Sequence, residues 1–149
     1  MPINAGEKIT AANTAWDIGG VALTDLTAGV LVDTYQPWGG EQIQFPNPGV
    51  PVKVSGQLSG RVFNLTDADQ NGMGRVLISL DGGATFTSGN EPFVGTGSNA
   101  GGRGGFASSH FVRSSGAPTG DIVIKAEARG SSVNNDYRDG FLIAYMLPQ

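Results

Sequence analysis

The chain has 149 residues and a formal net charge of −4, with 24 Gly, 8 Pro, no Cys and one His. That length suits one domain with a core of its own, and the glycine and proline content predicts many turns and no long helix. Disulfides, thiolate nucleophiles, Cys-zinc sites and multi-His metal centres are excluded, and an acidic balance with scattered basic residues argues against nucleic acid or an anionic membrane as a partner.

In chain order, residues 1–14 have weak periodicity and precede the first aromatic residue, so they read as an extended N-terminal arm outside a single domain of 15–149. The opening lacks a basic stretch followed by an apolar run, which predicts no secretion leader. Ala11–Trp16 suits a turn of helix that Gly19 and Gly20 would stop. Trp16, Tyr35 and Trp38, with Pro37, Gly39 and Gly40 around them, fit either an aromatic platform for a sugar ring or a hydrophobic plug where early strands meet. Val30–Tyr35 and Gln42–Phe45 are short strand candidates bounded by turn residues.

The strongest strand pattern follows. Val52, Val54, Leu58 and Val62 alternate with Lys53, Ser55, Gln57, Ser59 and Arg61, which predicts a half-buried strand bent at Gly56 and Gly60. Val76, Ile78 and Leu80 repeat the period of two, and so do Ile122, Ile124, Ala126 and Ala128 opposite Lys125, Glu127 and Arg129. Thr85–Thr87 and Phe106–Arg113 are weaker candidates. About eight short strands without helical periodicity predict an all-β, jelly-roll-like two-sheet β-sandwich.

Four segments between these strands invite chemical readings. Asp67, Asp69 and Asn71, followed by Gly72, match the first half of a calcium loop, but its twelfth position falls on Ile78, so an EF-hand is excluded and half a cation site or a polar hairpin remains. Ser79-Leu80-Asp81-Gly82-Gly83-Ala84-Thr85-Phe86 resembles the Asp-box pattern, Ser-x-Asp-x-Gly-x-Thr-Trp. That resemblance implies a structural hairpin tied by the aspartate and, with a single copy, no sialidase activity. Gly95–Gly105 carries six glycines in eleven residues but no Gly-Lys-Ser/Thr ending, so it reads as a surface loop and not a nucleotide cradle. His110 is the one imidazole available to a hydrolase, and no Gly-x-Ser-x-Gly surrounds any serine, so no catalytic residue and no cofactor is expected.

The last strand, Phe141–Leu147, is apolar on both faces: Phe141, Ile143, Tyr145 and Leu147 on one, Leu142, Ala144 and Met146 on the other. With no helices to cover the second face, a sister copy is the expected cover. Phe141, Leu142, Ile143, Tyr145 and Met146 would then form a homo-oligomer interface, the alternative being a central strand capped by its own chain.

The opening Met1-Pro2-Ile3-Asn4-Ala5-Gly6-Glu7-Lys8-Ile9-Thr10-Ala11-Ala12 resembles the start of small virion proteins of tailed bacteriophages that infect actinobacteria. The resemblance implies a non-enzymatic virion component. Gly140-Phe141-Leu142-Ile143 is similar to the closing strand of the trimeric C1q/TNF-type jelly rolls, which implies a trimer. Together they lead to the expectation of a capsid decoration protein on the head surface. It would bind the major capsid protein or another virion protein through arm residues such as Ile3, Asn4, Lys8 and Ile9. The competing expectation is a tail-tip or fibre head that binds host carbohydrate through Trp16, Tyr35 and Trp38.

Overall fold

The computed structural model describes residues 17–27, 34–65, 70–96, 101–130 and 135–149. Among the described residues the regular elements are all strands: β1 (Asp17–Ala22), β2 (Gln36–Phe45), β3 (Val52–Asn64), β4 (Asn71–Ser79), β5 (Thr87–Ser88), β6 (Phe93–Gly95), β7 (Arg103–Arg113), β8 (Ile122–Gly130) and β9 (Asn135–Pro148). They form two antiparallel sheets, β1-β9-β3-β7 and β2-β8-β4-β5, with β6 also paired to β4.

The pairing has a simple logic. The first strand bonds the last, the second bonds the second-last, the third bonds the third-last, and β4 bonds the two short strands after it. The described chain is one long antiparallel hairpin, rolled up so that β9 also bonds β3 and β8 also bonds β4. This is a jelly roll, which closes two sheets over one core. Alternation drives it. β3 turns Val52, Val54, Leu58 and Val62 inward, and β8 answers with Ile122, Ile124, Ala126 and Ala128 from the opposite sheet. Each buried branched side chain stabilises the sandwich by roughly 1.5–3 kcal/mol before entropic costs.

One irregularity sets which face of β9 points inward. The β3–β9 register shifts between Ser59 and Arg61, where Asp139 has φ 53° and one residue of β3 opposes two of β9. The extra residue lets Tyr137 and Leu142, an odd number of positions apart, both enter the core. Beyond the bulge the parity holds: Leu142, Ala144 and Met146 point inward and are 0–1% exposed. Leu142 and Met146 are therefore sealed by their own chain. This corrects their expected place at an oligomer interface and leaves Phe141, Ile143 and Tyr145 on the outer face.

Trp38 takes the hydrophobic-plug alternative. Its indole is fully buried, with the Phe106 and Tyr137 rings each 5.6 Å away between centroids, so it is core and no sugar platform. The slot beneath it is made by two glycines on neighbouring strands: a Cβ added at Gly60 would overlap Trp38 Cη2, and one at Gly140 would lie 2.8 Å from its ring. Among the strand expectations, Tyr35 lies just outside β2 and the Val30–Asp33 part of its candidate falls outside the described residues. Arg103–Gly105 belong to β7, and Gly95 to β6, where a loop was expected. Gly19 and Gly20 lie within β1, and the Ala11–Trp16 turn expected before them falls outside the described residues.

Candidate interaction surface

The two sheets present different chemistry to solvent. On the outward side of β2-β8-β4, Arg75 and Glu127 are cross-strand partners. Arg75 Nε and Nη2 donate to Glu127 Oε2 at 3.0 and 2.8 Å, and Nη1 donates to Glu91 Oε1 at 3.1 Å. The Tyr35 ring lies between two cations, 3.6 Å from the Arg75 guanidinium and 5.0 Å from that of Arg129. Burial first, then the Glu91 carboxylate, pushes the Tyr35 phenol up to about 12. Tyr35 is thus enclosed by protein charge and is separated from Trp38, which lies on the inner side. Lys125 covers Phe86 at 4.1 Å from the ring centroid. This face is laced by ion pairs and suits water.

The outer face of β1-β9-β3-β7 is built differently. Its register aligns Ile18, Tyr145, Ser55 and Phe111 in one row across the four strands. The next two rows are Gly20, Ile143, Gln57 and Ser109, then Ala22, Phe141, Ser59 and Ala107. Ile18, Phe111 and Phe141 are 67%, 60% and 43% exposed. These rows contain no charged residue. Charge returns only at the ends, with Leu147, Lys53 and Arg113 in one row at one, and the Arg61–Asp139 pair (3.3 Å) beside Arg138 at the other. Because β3 and β7 carry short side chains here, the face is hollowed into a trough of about 230 Å³, lined by Gln57, Ser59, Ala107, Ser109, Phe141 and Ile143.

Elsewhere the polar groups are engaged in holding turns. The Asp81 carboxylate accepts hydrogen bonds from Ser79 Oγ (2.6 Å), Thr85 N (2.9 Å) and Thr85 Oγ1 (2.5 Å), and these donors hold its pKa down to about 2. The Asp-box segment is thus the structural hairpin its sequence implies. A cleft of about 450 Å³ opens beside it, between the hairpin and residues 113–119, with Ile78 and Val112 as apolar lining and Arg113 as its cation. His110 Nε2 lies 2.8 Å from Thr87 Oγ1, and burial lowers its pKa. The nearby Ser108 Oγ donates to the Asn90 carbonyl at 2.7 Å, so that hydroxyl is committed to the β7 edge.

Of the residues singled out in the sequence, Phe141, Ile143 and Tyr145 come together on the uncharged face. Asn71 lies in β4 and its carbonyl accepts from Asn135 Nδ2 at 2.9 Å. Asp67 and Asp69, like Ile3, Asn4, Lys8, Ile9 and Trp16, lie outside the described residues. Among the described residues no cluster of His, Cys, Asp or Glu is placed to hold a metal ion. Ile18 and Phe111 were not anticipated. Phe111 carried a signal all the same, since it is out of phase with Phe106 on β7 and only one of them can face inward.

No protein-family model matches the sequence, and no curated protein matches it. Solved structures do match the fold. The VP2 subviral particle of infectious bursal disease virus aligns with TM-score 0.54 at 10% identity, covering 87% of this chain and 32% of that one. The Gx strain of the same virus aligns with TM-score 0.52 at 12% identity, again over 87% and 32%. This chain therefore spans about a third of the length of those it matches. The likeness establishes the class: an all-β jelly roll of two antiparallel sheets, of the kind found in a subviral-particle protein.

Proposed function

We propose that this chain is a structural protein of a bacteriophage virion, and within that class a head-surface decoration protein that binds the capsid shell as a homo-oligomer. The observation that carries the reading is the complete jelly-roll wrapping, shared with a subviral-particle protein over 87% of the chain. The opening dozen residues, with their resemblance to actinobacteriophage virion proteins, supply the bacteriophage setting. Fold alone does not specify function, so the surface matters as well. It offers an uncharged sheet face suited to contact, while Asp81, Ser108 and the Arg75 network hold the fold together.

The arm is the shell-contacting element in this reading: Ile3, Asn4, Lys8 and Ile9 would add backbone pairing and side-chain contacts to a sheet edge on the major capsid protein. Repetition across an oligomer raises the effective concentration of each weak contact. Of the platform residues in the carbohydrate-binding alternative, Trp38 is buried and Tyr35 is held between two guanidinium groups, while Trp16 lies outside the described residues. Co-sedimentation with empty heads that lack the protein tests the proposal. Full-length protein is expected to pellet with the heads and a chain starting at residue 15 to remain in the supernatant. Full-length protein that ignores heads but decorates purified tails would overturn the head assignment.

A further inference from the structure

We infer that the outer face of β1-β9-β3-β7 packs against the same face of a second copy of this chain, with Phe111 of each copy seated in the trough of the other. The inference deepens the homo-oligomer part of the reading above and rests on it for its setting. It replaces the trimer expectation with a two-fold pair.

Three features of the face select a second copy as the occupant. The first is self-complementarity. A two-fold interface uses one patch twice, so a knob on it must meet a hole on the same patch. Phe111 is the knob, 60% exposed on β7, and the trough beside Ala107 and Ser109 on that same strand is the hole. Four residues separate Phe111 from Ala107, about 13 Å along a strand. A two-fold axis that lies in the face and crosses the strands midway between them exchanges knob and hole.

The second feature is charge. Each copy carries a net charge of −4, yet no carboxylate lies in the three central rows, so pairing buries no acidic group. The same axis brings the Lys53 and Arg113 end of one copy over the opposite end of its mate. There Arg61 and its cross-strand partner Arg138 stand beside Asp139 and Asp25, so the rims carry both signs and the uncharged rows carry the pairing.

The third is size. Four strands about 4.8 Å apart, over the three uncharged rows about 6.8 Å apart, give a face of roughly 400 Å² in plan. Specific complexes at the small end bury about 600 Å² per partner. The pair is accordingly concentration-dependent in solution and completes where copies are crowded on a shell.

Sedimentation equilibrium of the full chain over a wide concentration series reads the prediction. The mass should rise from 15.3 kDa toward twice that value and stop there. Phe111→Asp should weaken pairing by roughly tenfold to a hundredfold. Phe111 is exposed, so the variant keeps the wild-type circular dichroism and melting transition. Lys125→Glu, on the ion-paired sheet, should pair like wild type. A wild-type chain that stays monomeric at every concentration, a trimer, or a pair undiminished by both Phe111→Asp and Ile143→Ser overturns the inference. Head co-sedimentation run in parallel separates the two levels. Monomers that still coat heads overturn the pair and keep the virion role, whereas pairs that ignore heads keep the pair and overturn the role.

Discussion

Replacing Trp38 by alanine removes the largest fully buried side chain among the described residues. A buried Trp→Ala change costs about 3–5 kcal/mol, to which the two ring contacts at 5.6 Å contribute within that range. The indole Nε1 is buried without a hydrogen-bond partner, and removing it relieves part of the loss, which places the net cost near 4 kcal/mol. For a chain of this length that corresponds to a fall of roughly 8–16 °C in melting temperature. The glycine floor gives an internal check. Gly60→Ala drives a methyl group into the indole and should cost about 1–3 kcal/mol in the wild-type background. In the Trp38→Ala background the same change should cost almost nothing, because the space is empty. Urea denaturation of the four proteins completes the cycle. Additive effects within about 0.5 kcal/mol would refute the slot. A Trp38→Ala protein of unchanged stability would return the residue to a surface role.

Other expectations follow from the same packing. Asp81→Asn removes a carboxylate whose pKa is held down to about 2 by Ser79 and Thr85. A depressed carboxylate stabilises the fold above its unfolded value near 3.9, and that contribution disappears as pH falls toward 2. Urea midpoints of wild type and Asp81→Asn should therefore differ at pH 7 and converge near pH 2, and a constant gap would contradict the assignment. Arg75→Met leaves Glu127, whose side chain is 15% exposed, without its cation and should cost about 1–3 kcal/mol in denaturant titration. Arg75→Lys should recover only part, because it restores the charge but not the two-pronged contact. Tyr35 and Tyr137 are both pushed up to about 12, chiefly by burial. Absorbance titration should show two phenols ionising well above 10, and stability should fall as pH rises from about 10 to 12, where the unfolded phenols ionise first.

What could be read from the chain depended on how local the deciding interactions were. β3, β4 and β8 were legible because each alternates over several residues with a period of two. The Asp81 hairpin was legible because its hydrogen bonds all close within a few residues of Asp81. β9 shows the limit. Period two says that Leu142, Ala144 and Met146 share a face, but with both faces apolar it cannot say which one meets the core. The bulge at Asp139 and the closure of β9 between β1 and β3 decided that.

Trp38 was ambiguous for the same reason. Its slot is made by Gly60 and Gly140, distant in sequence and adjacent only once β3 and β9 pair. β1 was hidden by Gly19 and Gly20, which read as a helix stop. Gly19 instead marks close approach of the two sheets, where Ile43 and Phe45 of β2 occupy the space a side chain would fill. The interaction surface was half visible: β9 supplied Phe141, Ile143 and Tyr145, whereas Ile18 and Phe111 join them only through strand register.

The proposed role is that of a jelly roll coating a bacteriophage head. A density map of the intact virion tests it most directly. Copies of the sandwich on the outer surface of the shell, bound through the segment preceding β1, are the expected result. Density for the sandwich confined to the tail, or a virion that contains none of this chain, would contradict it.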